Sequence, residues 1–312
     1  MAISFDGQVA IVTGAGQSLG RAYALDLAKR GAKVVVNDLG GIGTPEGPTA
    51  EKVVREIEAA GGTAVASLDS VATPEGGQAI VDRALDAFGT VDAVIHNAGV
   101  WRHEAYEDMT PEMLDPVIDV HLRGAVFVTR PAYCIMQEKK YGRIVLTSSS
   151  TGCFGRVRGT NYAAAKAAML GLARALSLEC EEFGIKANCI LPISPFGRND
   201  PVPQTFSDQL REAGLAPELA GPEQVVPMVV WMASNACSVN GEGFSAGGGR
   251  FGRAFIAVAD GWIAPSGSVP TAEDIEAHLG EIRDLSSWDI PPTSILEMKT
   301  IGRLRKERLG EG

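Results

Sequence analysis

The feature that most limits what this chain can fold into is an alternation. Short apolar, β-branched runs recur at "VAIVT" (9–13), "KVVVN" (33–37), "TAVASL" (63–68), "VDAVIH" (91–96), "GRIVLT" (142–147) and "IKANCIL" (185–191). Nearly continuous apolarity suits parallel strands covered on both faces. Between them lie segments of helical period at 20–30, 49–60, 74–88 and 111–138. Strand and helix in turn predict an α/β fold with a Rossmann-type, doubly wound parallel sheet. A seventh strand is expected at "GEGFSAGG" (241–248), after the apolar helix candidate "VVPMVVWMAS". One α/β domain is thus expected over 1–262. The C-terminal extension, 263–312, opens on "APSGSVPTAED", continues as a weak helix "AEDIEAHLGEIRDL" and ends in a charged tail.

"TGAGQSLG", Thr13 to Gly20, follows the first strand directly and leads into a helix. In that setting Gly14 forms the turn, Gly20 lets the helix pack close, and the N–H groups around Gly16, Ser18 and Leu19 face a pyrophosphate. Ser18 stands where a close-approach glycine is expected. Its N–H survives, and its hydroxyl can donate to a phosphate oxygen, so a modest change in affinity is expected. Alone, the motif reads equally as a tight turn without a ligand. Asp38 shifts the balance, because it ends the second strand in "VVVNDLGG", where a carboxylate accepts both hydroxyls of an adenosine ribose. The same charge repels a 2′-phosphate, so NAD is favoured over NADP.

Tyr162 and Lys166 stand in "YAAAK", one helical turn apart and on one face. An ammonium near a phenol is expected to lower its pKa. With Ser149 supplied from the loop after the fifth strand, the three can polarise an alcohol or carbonyl and shuttle its proton. The same spacing on most helices is only a solvated face; here it follows a serine-rich strand end in a nucleotide-binding layout.

With these residues in hand, the chain resembles the short-chain dehydrogenase/reductase superfamily over residues 5–262. The motifs that carry the resemblance are "TGAGQSLG", Asp38, Asp69, "HNAG" (96–99), "SSSTG" with Ser149, and "YAAAK". It implies that Asp69 and the adjacent Ser70 meet the adenine, that Asn97 supports the cofactor and central strand, and that Lys166 also holds the nicotinamide ribose. Longer stretches, among them "DVHLRGAVFVTRPAY", "KKYGRIVLTSSSTG", "WIAPSGSVPTAED" and "VVVNDLGG" followed by "IGTPEGPTA", look like one branch. That branch is the (3R)-hydroxyacyl-CoA dehydrogenase unit of the peroxisomal multifunctional β-oxidation enzyme. It implies interconversion of (3R)-hydroxyacyl-CoA and 3-ketoacyl-CoA, with 17β-hydroxysteroids or steroid side-chain thioesters as the alternative substrate. It also implies a homodimer or homotetramer, and a separate enoyl-CoA hydratase as a functional partner. A non-catalytic NAD-binding regulator is the competing class, and the complete Ser149, Tyr162 and Lys166 set weighs against it.

Two positions depart from the superfamily pattern. The helix asparagine that usually completes the catalytic set is His121 in "VHLRG", a candidate relay that could equally be a satisfied core residue. After the sixth strand the usual Pro-Gly reads Pro192-Ile193, and the Ile193 backbone is expected to meet the carboxamide. Of the remaining histidines, His96 reads as packing or as a cofactor wall, His103 as a loop residue that could also edge a substrate pocket, and His278 as solvent-facing. None has metal-ligand spacing, so no metal is expected.

The net charge of −10 argues against a nucleic-acid or anionic-membrane surface. "RVRG" (156–159) and "KTIGRLRKERL" are locally basic and read as solvated charge or as contacts to coenzyme A phosphates. Five scattered cysteines indicate no disulfide framework. No leader and no membrane span are read, and a cytoplasmic location is expected.

Overall fold

In the computed structural model, which describes residues 2–40, 49–194, 208, 210–216, 219 and 221–310, every apolar run becomes a strand. They are β1 (Val9–Thr13), β2 (Lys33–Asn37), β3 (Thr63–Ser67), β4 (Ala93–His96), β5 (Gly142–Thr147), β6 (Ile185–Pro192) and β7 (Gly243–Gly247). Between them run α1 (Ser18–Lys29), α2 (Thr49–Ala59), α3 (Pro74–Phe88), α4 (Pro111–Ile118), α5 (Gly124–Lys139), α6 (Ser150–Phe154), α7 (Thr160–Glu179) and α8 (Val226–Ala233). The sheet order is β3-β2-β1-β4-β5-β6-β7-β8, where β8 is Arg250–Ala254. β1 pairs in parallel with both β2 and β4. The winding therefore reverses between β1 and β4, and a crevice opens at the carboxyl ends of those strands.

The alternating strand faces explain the layers. Val12, Val34, Val36, Ile95, Val145 and Ile190 pack with Tyr23, Leu27, Ile57 and Val229 from α1, α2 and α8. α3, α5 and α7 cover the opposite face, where Ile11, Val35, Val94 and Leu146 are also fully buried. Burial of each such side chain contributes about 1.5–3 kcal/mol, which is why these strands tolerate so few polar residues.

Three expectations need correction. The sheet has eight strands rather than seven, because Gly248 and Gly249, both at positive φ, turn the chain straight back into β8. That reversal is the two-residue hairpin in which glycine is favoured at both central positions. The helix read as one piece over 111–138 is interrupted by a π-helical turn at Asp119–Arg123. The chain forms two compact units that meet at Arg253/Ala254, and within the second Val258–Ala259 pairs with Trp288–Asp289. Finally, the charged tail is a helix, Ser294–Leu309, capped by Thr293 accepting from the Leu296 N–H and ended by Gly310 at φ +69°.

Within that second unit, the weak helix is split at His278 into Ala272–Ala277 and Leu279–Ile282. His278 is not simply solvated, since its ring stacks on Trp262 at 4.2 Å and its Nδ1 lies 2.9 Å from Glu281 Oε1. Most of the insertion "IGTPEGPTA" and the loop beyond Ser194 lie outside the described residues. No helix among the described residues is long and apolar enough to cross a membrane.

Candidate active site

The glycine turn is built so that side chains cannot occupy it. Gly14 has φ +62°, and a Cβ there would stand 2.7 Å from the Ala98 Cα. A Cβ on Gly16 would overlap the Thr49 hydroxyl, and one on Gly20 the Gly14 carbonyl oxygen. α1 begins just beyond, with no side-chain cap from Gln17 and no acidic residue in its first turn. Its first N–H groups are thus directed at the crevice without an internal anion. Leu19 turns its side chain towards the core, so its contribution to the crevice is a backbone amide. Ser18 is held at φ +46°, a left-handed conformation that an L side chain resists.

Asp38 stands across this turn. Its Oδ2 accepts the Gly16 N–H at 2.9 Å, and its Oδ1 accepts from the Gly40 N–H at 2.9 Å and the Thr49 hydroxyl at 3.2 Å. A carboxylate has about four lone-pair positions, and the rotatable Thr49 hydroxyl is the partner most easily displaced by a diol. Asp69 is braced in the same way, its Oδ2 accepting from Ser67 Oγ at 3.0 Å while Asn37 Nδ2 donates to its backbone carbonyl at 2.9 Å. Ser70 Oγ accepts the Ala72 N–H at 3.2 Å and so shapes the turn into α3.

Thr13 joins the two sides of the switch point. Its hydroxyl oxygen accepts the N–H groups of Asn97 (3.1 Å) and Ala98 (3.0 Å) and lies 3.2 Å from His96 Nδ1. Burial pushes the His96 pKa down to about 3, so the ring is neutral. Asn97 Nδ2 donates to the Gly14 carbonyl at 3.1 Å, which ties the end of β4 to the glycine turn. Ile193 spends its N–H on Ala246 at 2.8 Å, leaving its carbonyl as the backbone group for a carboxamide.

The second half of the site rises from β5 and α7. Ser149 is the N-cap of α6 and accepts the Thr151 N–H at 3.1 Å. Tyr162 and Lys166 are buried, 6% and 3% exposed, and share one face of α7. Asn161 fixes the height of that helix, donating to the Met113 carbonyl at 2.9 Å and accepting the Tyr162 N–H at 2.7 Å. Lys166 Nζ donates to the Thr147 carbonyl at 2.6 Å and lies 5.6 Å from the centre of the Tyr162 ring.

This geometry changes one expectation. Burial raises the Tyr162 pKa to about 12, opposed by the hydrogen bond with Ser149 and by the charge of Arg156. Burial lowers the pKa of Lys166 itself to about 7. The groups that ease ionisation of the phenol are therefore the serine and an arginine that the motif did not point to.

His121 occupies the π-helical turn, 1% exposed. Its Nε2 lies 2.9 Å from the Val100 carbonyl and 3.2 Å from the Val100 N, its ring meets Tyr162 edge-on at 5.3 Å, and its Nδ1 is buried with no hydrogen-bond partner among the described residues. Burial holds its pKa well below the usual histidine value. A Cβ on Gly99 would reach within 2.5 Å of its Cε1, so Gly99 makes room for the ring. Trp101, overlooked in the sequence, covers Tyr162 at 4.1 Å, while His103 touches Trp101 at 4.9 Å. The signal that could have found Trp101 is its position directly after "HNAGV", the strand end that lines the crevice.

These groups suit the exchange of a hydroxyl proton while a hydride leaves the same carbon, the work of an oxidoreductase acting on CH–OH. The chain belongs to the short chain dehydrogenase family, whose model matches residues 8–194. A short-chain type dehydrogenase/reductase of Mycobacterium tuberculosis is 41% identical over 289 residues, covering 91% of this chain and 96% of that protein. Peroxisomal multifunctional enzyme type 2 of Mus musculus is 40% identical over 296 residues, covering 93% of this chain and 38% of the mouse enzyme. The solved full-length enzyme of that name from Drosophila melanogaster superposes with a TM-score of 0.80 at 29% identity, over 99% of this chain and 51% of that one. This chain thus spans about half or less of those multifunctional relatives.

Proposed function

We propose that the protein is an NAD-dependent dehydrogenase of 3-hydroxyacyl thioesters, interconverting (3R)-hydroxyacyl-CoA and 3-ketoacyl-CoA. The observation that supports this reading is a buried Tyr162 and Lys166 with a half-buried Ser149 at the carboxyl end of β5, two strands along the sheet from the β1 glycine turn whose Gly16 N–H meets the carboxylate of Asp38. The multifunctional relatives support the thioester.

The residues fit a dinucleotide. Gly14, Gly16, Ser18, Leu19 and Gly20 would hold the pyrophosphate, Asp38 the adenosine ribose, Asp69 and Ser70 the adenine, and Asn97, Lys166 and Ile193 the nicotinamide end. NAD, when bound, supplies the acceptor for the hydride. Ser149 donates to the substrate oxygen and orients it. In the direction of oxidation Tyr162, ionised to the phenolate, takes the hydroxyl proton at its phenolic oxygen, and as the phenol it returns that proton in reduction. Lys166, with one hydrogen bond to the Thr147 carbonyl, holds positive charge against the tyrosine ring. His121, neutral and bonded to the Val100 backbone, keeps the loop over Tyr162 in place.

Purified protein should reduce NAD when supplied with a (3R)-hydroxyacyl-CoA. Tyr162→Phe should lower turnover by about 10³-fold while NAD affinity is retained. If neither hydroxyacyl thioesters nor hydroxysteroids are turned over, the substrate reading is wrong.

A further inference from the structure

α6 leads from Ser149 to an exposed bend, Gly155–Gly159, that carries two arginines with different fates. Arg158 is committed. It pairs with Glu104 at 2.5 Å, its carbonyl accepts the Glu104 N–H at 3.2 Å, and its backbone is held at φ +60°. The bend is thereby clipped to the loop that places Trp101 over Tyr162. Arg156 is free of such a partner: among the described residues it has no ion pair, and its guanidinium carbon lies 5.6 Å from the centre of the Trp101 ring. Trp101 in turn stands 4.1 Å from Tyr162, so the free cation is two short steps from the reacting phenol. Its charge is felt at the site, opposing the burial that raises the Tyr162 pKa and adding to the burial that lowers that of His103. Phe154 and Val157, 82% and 86% exposed, flank it with apolar surface.

A chain of net charge −10 has ample carboxylate to neutralise an arginine, yet among the described residues Arg158 is paired with Glu104 and Arg156 with no carboxylate. We infer that Arg156, braced on Trp101, is the specificity-determining contact for an oxyanion carried by the substrate, a group that distinguishes a charged thioester from a neutral alcohol of the same shape. Guanidinium presents a planar fork of donors suited to phosphate and carboxylate oxygens. The aromatic face beneath it holds the fork while leaving its N–H groups unspent. Two sources share that chemistry: the phosphates of the coenzyme A carrier, or a carboxylate on the acyl chain. The inference rests on the thioester reading of the active site.

The experiment compares three 3-hydroxyacyl substrates with one acyl core: the CoA thioester, its uncharged N-acetylcysteamine counterpart, and that counterpart bearing a terminal carboxylate. In the wild type, kcat/KM should favour a charged form, and Arg156→Gln should reduce that preference by about fivefold, with Arg156→Lys in between. Loss confined to the CoA arm assigns the phosphates; loss confined to the carboxylate arm assigns the acyl chain. Arg158→Gln, which unclips the bend without removing the free cation, should lower all three substrates and leave the ratio in place. Tryptophan emission gives a readout that needs no turnover, since free coenzyme A or a dicarboxylate should perturb the wild type and not Arg156→Gln. Ratios and emission that are the same in wild type and Arg156→Gln overturn the oxyanion contact while the dehydrogenase reading stands. If no thioester turns over, the function proposed above fails, and the emission titration alone decides Arg156.

Discussion

Ser18 and Lys166 show how much can rest on single residues whose surroundings oppose them. At φ +46° Ser18 carries a cost that glycine does not, so Ser18→Gly should stabilise the protein by about 1 kcal/mol, read as a shift in the urea midpoint. NAD affinity should change by less than about tenfold, because the amide remains where it was. Lys166 imposes a pH dependence. Unfolded, it keeps its proton to about pH 10.5, whereas folded it keeps it only to about 7. Between those values the unfolded chain binds more protons, so this group makes stability rise as pH rises. Tyr162 works oppositely and higher, since its folded pKa of about 12 exceeds the ordinary 10.0 and stability falls as pH passes through that interval. Lys166→Met should therefore flatten the rise in unfolding midpoint between pH 7 and 9.

Among the elements, the π-helical turn separates what the sequence could and could not disclose. The apolar spacing over 111–138 is helical throughout, and nothing in it marks Asp119–Arg123 as wider than its neighbours. The extra residue per turn is a response to packing, because His121 must meet the Val100 backbone and the Tyr162 ring at once. The strands, by contrast, were legible because burial on both faces leaves its mark on every residue, as in "KVVVN" and "GRIVLT". The shared buried face of Tyr162 and Lys166 on α7 was equally legible, being fixed by local helical spacing. Arg156 and Trp101 were not, because their meeting depends on two loops far apart in sequence. His121→Ala should lower kcat/KM at least tenfold while the thermal shift produced by NAD is preserved, and His121→Asn, which keeps a polar group at that point of the turn, should lose less.

For the molecule as a whole, the cofactor assignment makes a simple thermodynamic demand. A ligand that binds only the folded chain stabilises it by about 2.7 kcal/mol at a hundredfold excess over Kd. NAD should raise Tm by several degrees under those conditions, NADP should not, and Asp38→Ala should narrow the difference, as scanning calorimetry would read. At the largest scale, compact packing follows a different cue from composition. A proline- and glycine-rich stretch looks like a seam, yet the chain changes allegiance earlier, where Val258–Ala259 finds a strand partner at Trp288–Asp289. The hairpin that ends the main sheet has its own consequence. An open sheet ends in a row of backbone groups able to recruit any extended chain, including another copy of itself. Here that last strand reads "RFGRA", with Arg250 and Arg253 exposed along it. A strand brought alongside that edge would lie next to two guanidinium groups, one of them held by Glu242, a placement of charge that disfavours edge-to-edge pairing there.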